Sequence, residues 1–364
     1  MSQRMPYDEG VLLIVLVLVG FGLIMVGSAS GHISQELYGS NTDIFVRQLI
    51  AVVIGLVLLR LGMITDYRRY EHSAVMISLF VGAVLLLIIP LVRPGDAGVR
   101  RWISLGPLNF QPSELAKLVL VLCSAYYLVR YRESIPSIKG LIPYLGLVAL
   151  PLVLILMGRD LGTAAAIAFT ACLLLYLGGG PLKYLLGLLL ASIPIFYFLV
   201  FDVEYRRNRL LAFWNPSADP YGIGYQVRQS LIAVGSGGWT GQGFANGKQK
   251  LSFLPESHTD FIFAVVGEEL GLLGCVFLLV LFALLFWRGV RIALRADTSF
   301  GSYLALGIVS MIVLQGLINM SVVVSLVPTK GIPLPFISVG GSSMLVMMAG
   351  VGILLNISRR CRQG

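Results

Sequence analysis

LPESHTDFIFAVVGEELGLLGCVFLLVLFALLFW, residues 254–287, decides the class of fold. It places Glu256, His258 and Asp260 within five residues and then turns apolar. Between Asp260 and Trp287 only Glu268 and Glu269 carry charge. About 20 apolar residues suffice to cross a bilayer, so this run reads as a membrane span. A carboxylate at or inside a span is costly, and it usually marks chemistry or a substrate path.

The rest of the chain repeats the pattern. Its 364 residues are 57% hydrophobic and 12% charged, with mean hydropathy +0.87. A soluble domain carries about 25% charged residues. The chain is therefore expected to be an all-α polytopic membrane protein, a single integral membrane domain over 1–364. We expect ten spans, near 11–29, 44–62, 74–92, 113–130, 141–158, 161–178, 182–201, 260–287, 303–325 and 336–357. The opening MSQRMPYDEG ends acidic and many spans follow, so the first is expected to be an uncleaved span rather than a signal peptide. Cys123, Cys172, Cys275 and Cys361 are scattered without a CxxC, which argues against disulfides or zinc. His32, His72 and His258 are too dispersed for a metal cluster.

The net charge of +9 is spread through short loops, as the positive-inside rule requires, and not gathered as nucleic acid binding would need. Ten spans put both termini on one side, whose loops hold 14 cations against six in the short loops opposite. The termini are thus expected in the cytoplasm, and segment 202–259, between the seventh and eighth spans, outside. A loop of that length is usually functional. Gly224 to Ala233 within it reads as a short amphipathic helix across the membrane face. Its glycines read as turn formers, since the strand and helix that flank a phosphate-cradling loop are missing.

Each charged group has two readings. Asp260 is either a general base at the membrane boundary or, with Thr259, an N-terminal helix cap. On a continuous helix Glu256 would share its face. His258 reads as a loop residue or hydrogen-bond partner. Glu268 and Glu269 suit a buried ion pair better than catalysis. Glu114 and Lys117, three apart after Pro112, either neutralise each other or line a groove. Arg101 beside Trp102 fits a phosphate ligand with an indole at headgroup depth, or an interfacial anchor. Arg159 would neutralise Asp160. Lys330 lies among prolines, and Gly340 to Ser343 (GGSS) suggests close helix packing. Arg101, Glu114, Lys117, Asp160, Glu256, Asp260 and Lys330 all fall on the expected outer side. One mixed-charge cavity for an anionic, lipid-anchored substrate explains that coincidence once; independent structural roles must explain it seven times.

These residues lie in runs that resemble the SEDS family (shape, elongation, division and sporulation). The runs are RRWISLGPLNFQPSELAK (100–117), RDLGTA (159–164), DPYGIGYQVRQSLIAVGSGG (219–238), LPESHTDFIFAVVGEELG (254–271) and PTKGIPLPFISVGGSS (328–343). AFWNP, GQG, QKL and LVPTKG are more similar to the division (FtsW-like) branch than to the elongation (RodA-like) branch. Val339 stands where the family usually has Tyr, and Arg159 where Pro is common. The resemblance implies a peptidoglycan glycosyltransferase in the bacterial inner membrane. It would polymerise lipid II for septal wall synthesis, beside a class B penicillin-binding protein and other divisome or elongasome proteins. It implies that Asp260 is catalytic. Glu114, Lys117, Arg101, Trp102, Asp160, Glu256, His258 and Lys330 are expected to bind substrate or support the site. The departing diphosphate needs positive charge from Arg101, Lys117 or Lys330, or from a divalent cation; no other cofactor is expected. A lipid II flippase and an elongation polymerase are the alternatives.

Overall fold

The computed structural model describes residues 7–92, 100–105, 108–215, 222–251 and 253–361. Helices α1 (Glu9–Tyr38), α2 (Asp43–Ile64) and α3 (Ser73–Val92) precede a small hairpin of β1 (Ile103–Leu105) and β2 (Leu108–Phe110). The hairpin is antiparallel, with Ile103 opposite Phe110. Then come α4 (Pro112–Arg130), α5 (Ile138–Met157), α6 (Leu161–Leu177) and α7 (Leu182–Phe201). Segment 202–259 contains α8 (Glu204–Trp214) and α9 (Ile223–Ser236). Three helices finish the chain: α10 (Ile262–Arg295), α11 (Ser299–Val323) and α12 (Gly341–Ser358).

Ten of these helices lie where spans are expected. Nine, among the described residues, are long and apolar enough to cross a membrane, which makes this a multi-pass membrane protein. The exception is α6, whose 17 residues reach about 26 Å at 1.5 Å per residue, just under the hydrocarbon thickness. The amphipathic helix expected at 224–233 is α9; α8 was not foreseen. Arg4, Arg93, Arg362 and residues 219–221 of the DPYGIG run lie outside the described residues.

Polar content sorts the spans. Among the nine, α4, α11 and α12 have the lowest hydropathy, yet 78, 72 and 78% of their apolar stretches are buried. The corresponding figure is 22% for α3 and 6% for α7. Helices bearing Glu114, Lys117, Gln315, Asn319, Ser342 and Asn356 must turn those groups away from lipid, so they form the centre. On the other side of the bundle α2 meets α12 backbone to backbone: a Cβ on Gly62 would lie 3.0 Å from Gly352. The start of α1 and the end of α12 meet at one end of the bundle. There Asp8 caps α1 by accepting from the Val11 N–H, and its own N–H donates to Ser358 Oγ at 3.0 Å. Arg288 pairs with Asp8 and Arg360 with Asp66, both at 2.9 Å. The starts of α4, α6, α10 and α12 lie at the opposite end.

Two expected spans are corrected. The tenth begins at Gly341 rather than 336, because residues 324–340 form a strap of turns with Phe336 at φ 66°. The eighth begins at Ile262 rather than 260 and breaks at Gly271 (φ 64°, ψ −160°). A broken helix frees backbone groups that lipid cannot satisfy. The loop after α9 satisfies them. Gln242 and Gly243 N–H donate to the Glu268 and Glu269 carbonyls at 2.9 and 3.1 Å. Leu272 and Leu273 N–H donate to the Gly238 and Trp239 carbonyls at 2.9 and 3.2 Å. Glu268 and Glu269 then hold the next stretch of loop. Glu268 accepts from the Lys248 N–H at 2.7 Å, and Glu269 pairs with Lys250 at 2.6 Å while accepting from Ser28. The buried ion pair expected of these carboxylates is therefore present, with a partner from the loop.

Candidate active site

Asp260 sits in a turn just before α10, so the shared helical face expected for Glu256 and Asp260 does not exist. The turn wraps around Glu256, at φ 56°, whose carbonyl accepts from the Thr259 and Phe261 N–H groups at 3.1 and 3.2 Å. Glu256 Oε2 also accepts from the Thr259 hydroxyl at 2.7 Å. The cap position of α10 is Phe261, with no side-chain cap bond, so the helix-cap reading of Asp260 fails.

Three successive carbonyls tie the turn to the strap and to α11. His258 O accepts from the Val339 N–H at 3.0 Å, Thr259 O from the Ser338 hydroxyl at 2.5 Å, and Asp260 O from Asn319 Nδ2 at 2.7 Å. The Asp260 carboxylate faces Gly331 of the strap, where an added Cβ would lie only 2.9 Å from Oδ2. A side chain there would displace the carboxylate.

The surroundings raise the pKa of Asp260 to about 7, chiefly because burial withholds water and next because Glu256 is negative. Arg101 and Arg209 oppose the rise and Asp160 adds to it. A carboxylate poised near neutrality is suited to proton transfer. Burial lowers the Lys330 pKa, helped by Arg209 and opposed by Asp160. Burial lowers that of His258 too, against the pull of Glu256, and its Nδ1 is buried without a partner. Arg209, from α8, donates to the Thr329 carbonyl at 3.3 Å, next to Lys330.

The remaining expected residues fall around this centre in different roles. Asp160 is 3% exposed and caps α6 through the Thr163 N–H at 3.1 Å. Its other oxygen accepts from Gln111 Nε2 at 2.8 Å and Ser113 Oγ at 3.3 Å, fastening the start of α6 to the start of α4. Those groups, rather than Arg159, hold it. Glu114 and Lys117 form the expected pair at 2.8 Å, each 3% exposed, and the second oxygen of Glu114 has no partner. The Arg101 guanidinium lies 6.0 Å from the Trp102 ring centroid, and its Nε is buried without a partner. Arg100, Arg101, Ser113 and Asp160 line a narrow cleft together with Leu87 and Leu154. No three His, Cys, Asp or Glu side chains among the described residues converge as a metal-ligand set. A magnesium-like ion arriving with phosphates would need only one or two carboxylates.

Sequence reasoning missed Arg209, Gln315, Asn319 and Ser338. Arg209 lies in the basic run RRNR of the long segment, and both amides lie inside an apolar span. Each is a polar signal that could have been read.

Comparison with known proteins agrees with this architecture. The FtsW, RodA and SpoVE family model, described as "Cell cycle protein", matches residues 9–363. A probable peptidoglycan glycosyltransferase FtsW from Geobacter metallireducens is 44% identical over 98% of this chain and 96% of its own. Stage V sporulation protein E of Bacillus subtilis is 39% identical over 99% of both chains. A chain from a solved peptidoglycan synthase complex superposes with TM-score 0.79 at 30% identity, covering 97% of this chain and 98% of that one. The rod shape determining protein RodA of Thermus thermophilus gives 0.71 at 29% identity, covering 98% of each chain. The chain belongs to the FtsW/RodA/SpoVE family of cell cycle proteins.

Proposed function

We propose that this protein is a peptidoglycan glycosyltransferase that joins lipid II units into glycan strands, with Asp260 as general base. The observation that carries the reading is the Asp260 carboxylate set against Gly331 of the strap, in the field of Arg101 and Arg209, in a chain that matches glycosyltransferase relatives along its length. In the reaction the acceptor sugar hydroxyl attacks the anomeric carbon of the donor. A C–O bond forms, the bond from that carbon to the diphosphate oxygen breaks, and the electron pair leaves with the diphosphate. Asp260 takes the hydroxyl proton as the nucleophile develops charge. The diphosphate leaves unprotonated, so it needs cations; Arg101, Arg209 and Lys330 supply them, and a divalent ion is a further source. Attack opposite the leaving group converts the α linkage of the donor into a β bond.

Glu256 and Asp160 tune the charge of Asp260. Lys117 with Glu114 lines the inner part of the site, His258 shapes the turn, and Trp102 sits at headgroup depth. The active end faces outward and the chain ends face the cytoplasm, as the cation bias of the loops requires. The membrane is the bacterial inner membrane. The septal role follows the relatives named FtsW, 44 and 42% identical, against 29% for RodA. Likeness to a chain of a peptidoglycan synthase complex supports a class B penicillin-binding protein as partner. Purified protein with that partner should convert lipid II into strands in a gel assay. Lipid II movement across liposomes without any strand formation would replace this reading with a flippase.

A further inference from the structure

Two amides lie one turn apart inside α11, and neither belongs to any motif that suggested the function. Gln315 and Asn319 are each 1% exposed. Buried amides in a span are costly unless their polar atoms are matched. At i and i+4 they share one face of the helix.

Their bonds reach four separate segments. Gln315 Oε1 accepts from Lys117 Nζ of α4. Gln315 Nε2 donates to the Pro333 carbonyl of the strap at 2.9 Å and lies 3.5 Å from Ser343 Oγ of α12. Asn319 Nδ2 donates to two carbonyls at once, Ile332 of the strap at 2.8 Å and Asp260 at 2.7 Å. Asn319 Oδ1 is left buried without a partner. An unpaired buried acceptor is destabilising, so stability alone does not account for an amide here.

We propose that Gln315 and Asn319 form a positioning ladder that sets Asp260, Lys117 and the Lys330–Gly331 strap at their working separation. The ladder touches backbone carbonyls, one lysine and one serine hydroxyl, so it acts through those groups and not on substrate. Turn and strap are irregular backbone, while α11 is a rigid rod. Two amides on that rod give the irregular segments a common reference. The inference rests on the assignment of Asp260 as base.

The test uses the full chain with its transpeptidase partner and lipid II as substrate. Asn319→Ala should lower kcat about 10- to 100-fold while KM stays within about twofold, the signature of lost alignment rather than lost binding. Asn319→Asp keeps the shape but cannot donate to both carbonyls as a carboxylate, and it should show the same split if Asn319→Ala fails to fold. Asn319→Gln, which keeps the donor, should recover part of the rate. Gln315→Glu keeps the Lys117 contact and should lose less than Gln315→Leu. Asp260→Asn is run in parallel. If it is inactive while Asn319→Ala and Asn319→Asp keep kcat within about twofold of wild type, the ladder is wrong and the base stands. A rise in KM at unchanged kcat also overturns the ladder. Full activity of Asp260→Asn removes the base assignment and the inference with it.

Discussion

Glu256→Gln should make the protein more active relative to itself at acid pH. As the proposed base Asp260 must be deprotonated to act, and its pKa is raised to about 7. Activity therefore falls as pH drops through about 7, unlike that of an ordinary carboxylate. At pH 6 about 0.1 of the wild-type molecules hold Asp260 ionised, and at pH 8 about 0.9, so the rate ratio between the two is about 0.1. Glu256 is the second cause of the raised value, after burial. Removing its charge lowers the pKa of Asp260 by up to ~1 unit, and by less where salt screens this exposed side chain. A fall of ~0.5 to 1 unit lifts the ratio to about 0.25–0.5. Glutamine keeps an acceptor for the Thr259 hydroxyl, so the turn survives. The assay is kcat/KM for lipid II at the two pH values; a uniform loss from other roles of Glu256 cancels in the ratio. Arg101, Arg209, Lys330 and Asp160 also face the site and are unchanged, and His258 loses the upward pull of Glu256, which favours its neutral form further at both pH values. A ratio that stays at the wild-type value or falls would refute the reasoning.

Two further outcomes follow from the geometry. Gly331→Ala puts a methyl 2.9 Å from Asp260 Oδ2, about 0.5 Å inside ordinary contact, and should cost about tenfold in kcat with little change in melting temperature, read by kinetics and thermal unfolding. Lys250→Met strands the buried Glu269 carboxylate and should destabilise by about 3–5 kcal/mol, whereas Lys250→Met with Glu269→Met should recover much of that in a melting series.

The fold was legible because lipid leaves few choices. Apolar runs of about 20 residues mark spans whatever their partners, and all ten locations hold helices, nine of them long and apolar enough to cross a membrane. The boundaries of the eighth and tenth spans were misread for one reason. Both boundaries are set by partners distant in the chain: Asp260 is held by Asn319, and Ser338 and Val339 of the strap are held by Thr259 and His258 just before it. Tertiary hydrogen bonds of that kind leave no local trace. Gly271 could have signalled the break, but a glycine inside a span is ordinary.

The charged candidates could be singled out because charge is rare in such a chain, and their expected sidedness grouped them before any contact was known. What one sequence could not separate was structural charge from working charge. Asp160 and Asp260 each stand next to the start of a helix, but only Asp160 caps one. Arg209 was missed because a basic run in a long loop has too many ordinary explanations. The amides of α11 were missed because they are uncharged.

The central claim is that Asp260 takes the acceptor proton in lipid II polymerisation. The most direct measurement compares wild type with Asp260→Asn, each purified with the proposed transpeptidase partner and matched for folding by thermal unfolding, for glycan strand formation from labelled lipid II. Asparagine keeps the shape and cannot accept the proton as a base. The account predicts strands from wild type and none from Asp260→Asn at equal lipid II binding. Strands of normal length and rate from a well-folded Asp260→Asn would contradict it.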